Sequence, residues 1–282
     1  MTCSVEVEPL RGSLGARVHG VDARRPIGPD DLAVIRSALL DRRVLFLRGQ
    51  DLSAEEQLAF ATQFGVPCVD PVSRLAGRPN LLSYIEDTEQ RPPAEFPWHT
   101  DLSWLRTPPA FGILNARVVP DRGGDTIWVD LFAVYDALPT EVKRRVQQLE
   151  LQHRPRPHYF ETVRRHHGDE IADRLVAEHP PVAHPLVRPH PCSGRPALFL
   201  SPLYADSVVG LSPSRSRSLL TSLEHYLDEP RFQLRWKWEQ HDLVIWDEAS
   251  TNHRALGDHH PRHRRMRRCS VAASAPCAHT VP

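Results

Sequence analysis

The sequence predicts a mainly β protein with flanking helices, a sandwich or jelly roll rather than a parallel α/β sheet. Three observations point there. The second half of the chain breaks into many short strand-like runs split by Pro and Gly turns. Proline is abundant, at 27 residues, which suits a loop-rich β architecture. No internal repeat or low-complexity linker divides the chain, so one domain spanning residues 1–282 is expected, with helices packed outside a β core.

Composition narrows the function class. An apolar content of 40% supports a real core, and a formal net charge of zero with a pI near 7.3 gives no support to a nucleic-acid or membrane partner. No apolar run is long enough to span a bilayer, and Met1–Glu8 lacks the basic and apolar regions of a secretory signal. Cys3, Cys68, Cys192, Cys269 and Cys277 are odd in number, scattered and without a C-x-x-C pair, so free thiols in a reducing cytoplasm are expected.

The elements follow in chain order. Ser4–Leu10 alternates apolar and charged residues and predicts a strand, with Arg17–Val21 as its partner across a glycine-containing turn. Asp30–Asp41 carries Leu32, Ile35, Leu39 and Leu40 at helical spacing behind Pro29. Val44–Leu47 predicts a short buried strand, and Ser53 with Glu56 forms a capping box that opens a helix to about Phe64. Asn80–Ile85 and Ala110–Val119 predict strands; Gly123-Gly124 turns the second, and Asp125–Val129 returns from it. Leu131–Leu138 and Thr140–Leu149 predict short helices. His158–His179 predicts a polar helix on the surface, and its histidines lack the carboxylate spacing of a metal site. Ala183–Val187, Ala197–Leu200, Phe232–Trp238, Asp242–Trp246 and Cys269–Ala273 predict strands. Ser212–Leu227 predicts an amphipathic helix and Ser274–Pro282 a loose tail.

The chemistry centres on Trp98-His99-Thr100-Asp101. On a strand, residues i and i+2 share a side, so His99 and Asp101 could take two adjacent positions on one metal ion. A third ligand must come from elsewhere, and His253 in Asn252-His253-Arg254 is the leading candidate. Two histidines and one carboxylate on one face of an ion leave the other face open, as in non-haem Fe(II) oxygenases. Most isolated H-x-D matches are surface loops, so company decides.

That company is a set of four segments. Trp98–Asp101 is followed by Thr107-Pro108-Pro109-Ala110; then come Gly123-Gly124-Asp125-Thr126; then His184–Pro191 running into Gly194–Phe199; then Asp242–Asp247, Thr251–Ala255 and Arg264–Arg268. In this order they resemble the taurine dioxygenase and 2,4-dichlorophenoxyacetate dioxygenase family of Fe(II)/2-oxoglutarate oxygenases, over nearly the whole chain. The resemblance implies a double-stranded β-helix, a cupin-like jelly roll. It implies Fe(II) held by His99, Asp101 and His253, with 2-oxoglutarate and O2 as co-substrates. Arg264, eleven residues after His253, would grip the distal carboxylate of 2-oxoglutarate, with Thr126 adding a hydroxyl. A guanidinium can do this bidentately where an ammonium cannot. Arg268 would bind the acidic group of the prime substrate, and Leu102 and Tyr204 would line its pocket. Trp246 is read as core packing, a wall of the iron pocket, or both. Because Asp101 is present, hydroxylation or another oxygenase outcome is expected and the halogenating variant of the family is excluded. The family usually assembles as dimers or tetramers, so a homo-oligomer is expected.

The sequence departs from the taurine enzymes at Asp70, which stands where they have a histidine that helps bind the sulfonate. An aspartate facing inward would repel a sulfonate and could receive an ammonium; facing solvent it would do neither. With Arg268 holding an acid, a zwitterionic, amino-acid-like substrate is expected, and sulfonates, sulfate esters and aryloxyacetates are the alternatives. Tyr204 offers a hydroxyl where the taurine enzymes have phenylalanine. The rival readings are a zinc hydrolase using the same triad, which has no need of Arg264 and Thr126, and a binding protein on the same fold without turnover.

Overall fold

The computed structural model describes residues 5–273. Its architecture is mainly β with several helices. The largest sheet runs in the order Glu6–Pro9, Ala16–His19, Val44–Leu47, Leu243–Asp247, Phe111–Val118, Arg264–Ala273 and Gly65–Pro67, with Ser83–Asp87 also paired to Arg264–Ala273. A three-stranded sheet of Gln233–Trp236, Thr126–Asp130 and Thr251–Ala255 lies against it, centred on Thr126–Asp130. A second three-stranded sheet joins Ala205–Val208, Glu150–His153 and Val182–Pro185, and Val187–Pro189 pairs with Pro196–Leu198.

Strand alternation in the large sheet separates two cores. Leu45, Leu47, Ile113, Leu243, Ile245, Cys269 and Val271 face the helices Pro29–Arg42 and Ala54–Thr62, packing with Ile35, Leu39 and Phe60. Val44, Phe46, Leu114, Val244, Trp246 and Met266 face the other way and meet Trp128 and Trp236 of the small sheet. Because both faces are covered, Val44–Leu47 and Leu243–Asp247 are buried at every position. Phe46 stacks on Trp236 at 3.9 Å between ring centroids. The indole of Trp246 lies across Gly112, its register partner on the neighbouring strand.

Several expectations hold. Ser53 Oγ accepts from Glu56 N at 3.1 Å while Glu56 Oε2 accepts from Ser53 N at 2.7 Å, a complete capping box. Ser212 caps Pro213–Leu227, whose apolar face carries Leu219, Leu220, Leu223 and Leu227.

Others are corrected. Thr126–Asp130 does not pair back onto Phe111–Val118; it crosses to the small sheet, because Gly123 and Gly124, at φ +73° and +72°, redirect the chain between layers. The polar stretch His158–His179 is two helices, Pro157–His167 and Asp169–Glu178, broken at Gly168 with φ +88°. It is not a plain surface excursion. Phe160, Val163, Ala172 and Leu175 pack on Val72, Leu75, Leu102, Trp104 and Tyr204, roofing the cavity described below. The expected strand Ala183–Val187 is split at Leu186 between two sheets. Short strands at Gly65–Pro67, Glu150–His153, Ala205–Val208 and Thr251–Ala255 were not legible as alternation, being too short or too polar. Cys68 and Cys269 are free, as expected, and Cys3 and Cys277 lie outside the described residues. The expected tail Ser274–Pro282 lies outside the described residues. Among the described residues no helix is long and apolar enough to cross a membrane.

A Cβ added at Gly112 would fall 2.1 Å from Trp246 Cζ2 in the middle of this core. Gly112→Ala is therefore expected to cost about 1–3 kcal/mol through overpacking, read as a lower melting temperature in calorimetry; an unchanged melting temperature would refute the packing described here.

Candidate active site

His99 and His253 form an isolated antiparallel bridge, His99 N donating to His253 O at 3.1 Å and His253 N to His99 O at 2.8 Å. His253 sits on Thr251–Ala255 of the small sheet; His99 belongs to no regular strand. The expectation that His99 and Asp101 share a strand face is thus corrected: the chain enters a turn at Asp101, and Leu102 follows at φ +52°. The side chains converge all the same. His99 Nε2 is 3.7 Å and His253 Nε2 3.9 Å from Asp101 Oδ1, and the possible ligand atoms of all three lie within 4.8 Å of one another.

Thr100 stitches this turn to the rest. Its Oγ1 donates to Thr251 O at 3.1 Å and accepts from Asn252 Nδ2 at 2.8 Å, and its N donates to Ser201 Oγ at 3.1 Å. His99 Nδ1 lies 2.9 Å from Pro97 O, which can only accept, so the ring carries its proton there and leaves the Nε2 lone pair free. Burial lowers the pKa of His99 and brings that of His253 to about 3, so both imidazoles are neutral at ordinary pH. For Asp101 burial alone would raise the pKa; the Arg268 guanidinium outweighs it and holds the carboxylate ionised. Two neutral imidazoles and one ionised carboxylate, buried and facing one point, are a donor set that fits a divalent first-row metal.

Behind this trio is a carboxyl that sequence reading missed. Glu248, fully buried, accepts from Asp101 N at 2.9 Å and from Trp246 Nε1 at 2.8 Å. Trp246 in turn sets its ring edge-on to His253 at 5.0 Å, so it is both core and cavity wall. The only sequence signal was an acidic pair, Asp247-Glu248, directly after a wholly apolar run.

The trio opens on a cavity of about 280 Å³ whose lining includes Asp70, Leu102, Thr126, Tyr204, Arg264 and Arg268. Every residue expected at the site therefore reaches one space. Arg264 and Arg268 lie four apart on the strand Arg264–Ala273, on the side that faces the cavity. The intervening Arg267 points away, donating from Nη2 to Leu52 O and Ser53 O at 2.7 and 2.8 Å. Arg264 is 2% exposed, and its Nε donates to Gly124 O at 3.0 Å. Burial brings its pKa down to about 10, which leaves it cationic at neutral pH. Thr126 Oγ1 accepts from Trp238 Nε1 at 3.0 Å, so its own proton is available to the cavity. Arg268 Nη1 donates to both oxygens of Asp101, at 3.2 and 3.1 Å. Asp70 is neither solvent-facing nor free: Oδ1 accepts from Ser73 N at 2.9 Å, capping Pro71–Leu75, and Oδ2 is 3.8 Å from Arg268 Nη2. Phe96, Tyr159 and Tyr204 make an aromatic wall, with Tyr159 5.6 Å from Tyr204 and 6.3 Å from Phe96. Tyr159 and Phe96 were not singled out in the sequence, because the first sits in a polar helix and the second in a Pro-rich loop.

The taurine catabolism dioxygenase TauD, TfdA family matches residues 6–270. An alkylsulfatase of Acinetobacter baylyi is 30% identical, with 96% of this chain and 86% of that protein covered. An alpha-ketoglutarate-dependent 2,4-dichlorophenoxyacetate dioxygenase of Cupriavidus pinatubonensis is 32% identical, covering 96% and 99%. The crystal structure of a taurine dioxygenase from Burkholderia xenovorans superposes with a TM-score of 0.80 at 33% identity, covering 97% and 92%.

One buried histidine behind the turn at Asp101 makes stability depend on pH. His153 is stacked on Phe199, its Nδ1 lies 3.0 Å from Ser103 Oγ, and burial with help from His184 and Arg188 lowers its pKa from 6.5 to about 3. The folded state prefers the neutral ring, so this stability is complete above pH 6.5 and is lost as pH falls toward 3. The expected loss is roughly 2 kcal/mol at pH 5. Chemical denaturation at pH 7 and pH 5 should show it, with a flatter dependence in His153→Gln; identical slopes in the two proteins would refute the assignment.

Proposed function

The chain belongs to the taurine catabolism dioxygenase TauD, TfdA family, and from that premise we propose that its prime substrate is a small organic anion with an apolar body. As a member it is an oxidoreductase, a 2-oxoglutarate-dependent dioxygenase using Fe(II), 2-oxoglutarate and O2. We place the chemistry in one domain on a double-stranded β-helix, the two facing sheets supplying its walls. The observation that carries the reading is the meeting of His99, Asp101 and His253 at one end of a cavity that also holds two inward-facing arginines.

His99, Asp101 and His253 would hold the iron. Bound Fe(II) supplies O2 activation coupled to oxidation of 2-oxoglutarate to succinate and CO2, with oxygen inserted into a C–H bond. Arg264 grips the distal carboxylate of 2-oxoglutarate, and the Thr126 hydroxyl donates to the same group. Arg268 turns its fork to the anionic head of the prime substrate, and Phe96, Tyr159, Tyr204 and Leu102 exclude water around its apolar body. Holding that body still over the metal ligands selects the C–H bond that reacts. A hydroxyl placed on a carbon bearing a sulfate, sulfonate or aryloxy group gives an adduct that collapses, releasing that group.

The amino-acid-like substrate expected from Asp70 loses its anchor, since that carboxylate caps a helix and lies against Arg268. A sulfate ester, sulfonate or aryloxyacetate fits better: it needs a cation and an apolar wall and no second, anionic contact. The alkylsulfatase and 2,4-dichlorophenoxyacetate dioxygenase relatives carry such substrates in their names. A zinc hydrolase on the same trio would leave the buried cation Arg264 without a purpose, against its cost of burial.

The test is an Fe(II)/2-oxoglutarate titration without O2, followed by succinate release measured across alkyl sulfates, alkylsulfonates, aryloxyacetates and amino acids. Release coupled to one of the three anion classes is expected; coupling to amino acids alone would overturn the proposal. Asp101→Ala should raise the Kd for Mn(II) at least a hundredfold. Arg264→Ala should raise the KM for 2-oxoglutarate more than tenfold while the KM for the prime substrate stays near its parent value. If both constants move together, the division of labour between the two arginines is wrong.

A further inference from the structure

In the lining of the cavity, Arg264 stands beside a carboxylate that ought to quench it. Asp87 is the register partner of Arg264 on the adjacent strand, and both side chains are buried. A buried Arg–Asp pair at this spacing normally closes into two parallel charge-assisted hydrogen bonds. Here it does not: Arg264 Nη1 stays 3.8 Å from Asp87 Oδ2, with no hydrogen bond between them. The same oxygen has a second neighbour. His259, 1% exposed, places Nε2 3.3 Å from Asp87 Oδ2. His259 lines the cavity, with Asp87 and the main chain of Leu256 against its two ring nitrogens but neither contact well aligned as a hydrogen bond. Gly124 makes room for the arrangement: a Cβ there would stand 2.9 Å from Arg264 Cδ and 3.2 Å from His259 Nδ1.

We propose that His259 is a positioning residue that draws Asp87 off Arg264 and so keeps the guanidinium free for the distal carboxylate of 2-oxoglutarate. The inference rests on the reading of Arg264 given above. Three side chains then share one task. Arg264 supplies the charge, Asp87 holds it from across the strand pair, and His259 takes up the carboxylate that would otherwise close on it. Burial and the neighbouring guanidinium both favour neutral His259, in which a single ring proton can face Asp87. Without His259 the carboxylate has only Arg264 to pair with, and 2-oxoglutarate must compete with it.

The test is the Kd of 2-oxoglutarate, measured by calorimetry on the full-length enzyme loaded with Mn(II), so that turnover plays no part. His259→Ala and His259→Phe, the second keeping a ring without a donor, should each weaken binding at least tenfold. Asp87→Asn alone should not weaken it. The decisive protein is the double variant: adding Asp87→Asn to His259→Ala should restore the Kd to within about threefold of the parent, because the competing carboxylate is gone. A role in packing alone would show no such rescue, and that result would overturn the proposal. So would parent-like binding by His259→Ala, or a tenfold loss in Asp87→Asn, which keeps the histidine and so tests the idea even if the His259 variants do not fold. Arg264→Ala separates the levels: if it binds 2-oxoglutarate like the parent, the reading of Arg264 fails, whereas loss in Arg264→Ala beside parent-like His259→Ala rejects this inference alone.

Discussion

Two backbone hydrogen bonds, exchanged between His99 and His253, are the constraint on which the site depends. They join a Pro-rich loop in the first half of the chain to a strand in the second. The bridge is isolated, so His99 is held in register while the chain leaves the strand direction at once, through the turn at Asp101 and Leu102. A longer ladder would have carried Asp101 onward beside the sheet. Stopping the ladder after one pair lets the carboxylate turn back toward both imidazoles. Thr100 and Glu248 then hold the turn from behind with hydrogen bonds to main chain and side chain.

The second feature is the amount of buried charge gathered round one cavity. Asp101, Arg264 and Asp87 are all buried, and Arg268 bridges Asp101 and Asp70. Such groups are costly to desolvate and seldom add net stability. They are tolerable because each has a partner within a few ångströms, and because the cores on both faces of the large sheet supply the apolar burial that folding requires. The cations are spaced along one strand, buried Arg264 beside Asp87 and Arg268 beside the trio. In the proposed roles they would hold two different anions in one pocket.

The roof explains why a polar helix pair is worth keeping. Pro157–His167 and Asp169–Glu178 show charge outward and offer Tyr159, Phe160, Val163 and Leu175 inward. Together with Phe96 and Tyr204 they place an aromatic wall beside His99, which would keep water from the proposed metal ligands.

Much of this was legible in the sequence, and for identifiable reasons. Capping chemistry is local, so Ser53 with Glu56 marked its helix correctly. The residue types His99, Asp101, His253, Arg264 and Arg268 named the lone pairs and charges available, and even spacing put the two arginines on one side of a strand. Pairing partners were not legible. Gly123-Gly124 reads as a hairpin but sends the chain to another sheet, and Thr251–Ala255 lacks alternation because it is short and mostly polar. Asp87 and His259 carry no local signal at all, and Glu248 only its place in an acidic pair after an apolar run. Their importance comes from distances of about 3 Å to residues far away in sequence. Residue identity determines which donors, acceptors and charges exist, whereas coordination and ion pairing decay within ångströms. Only the packed sheets could decide which of those groups meet.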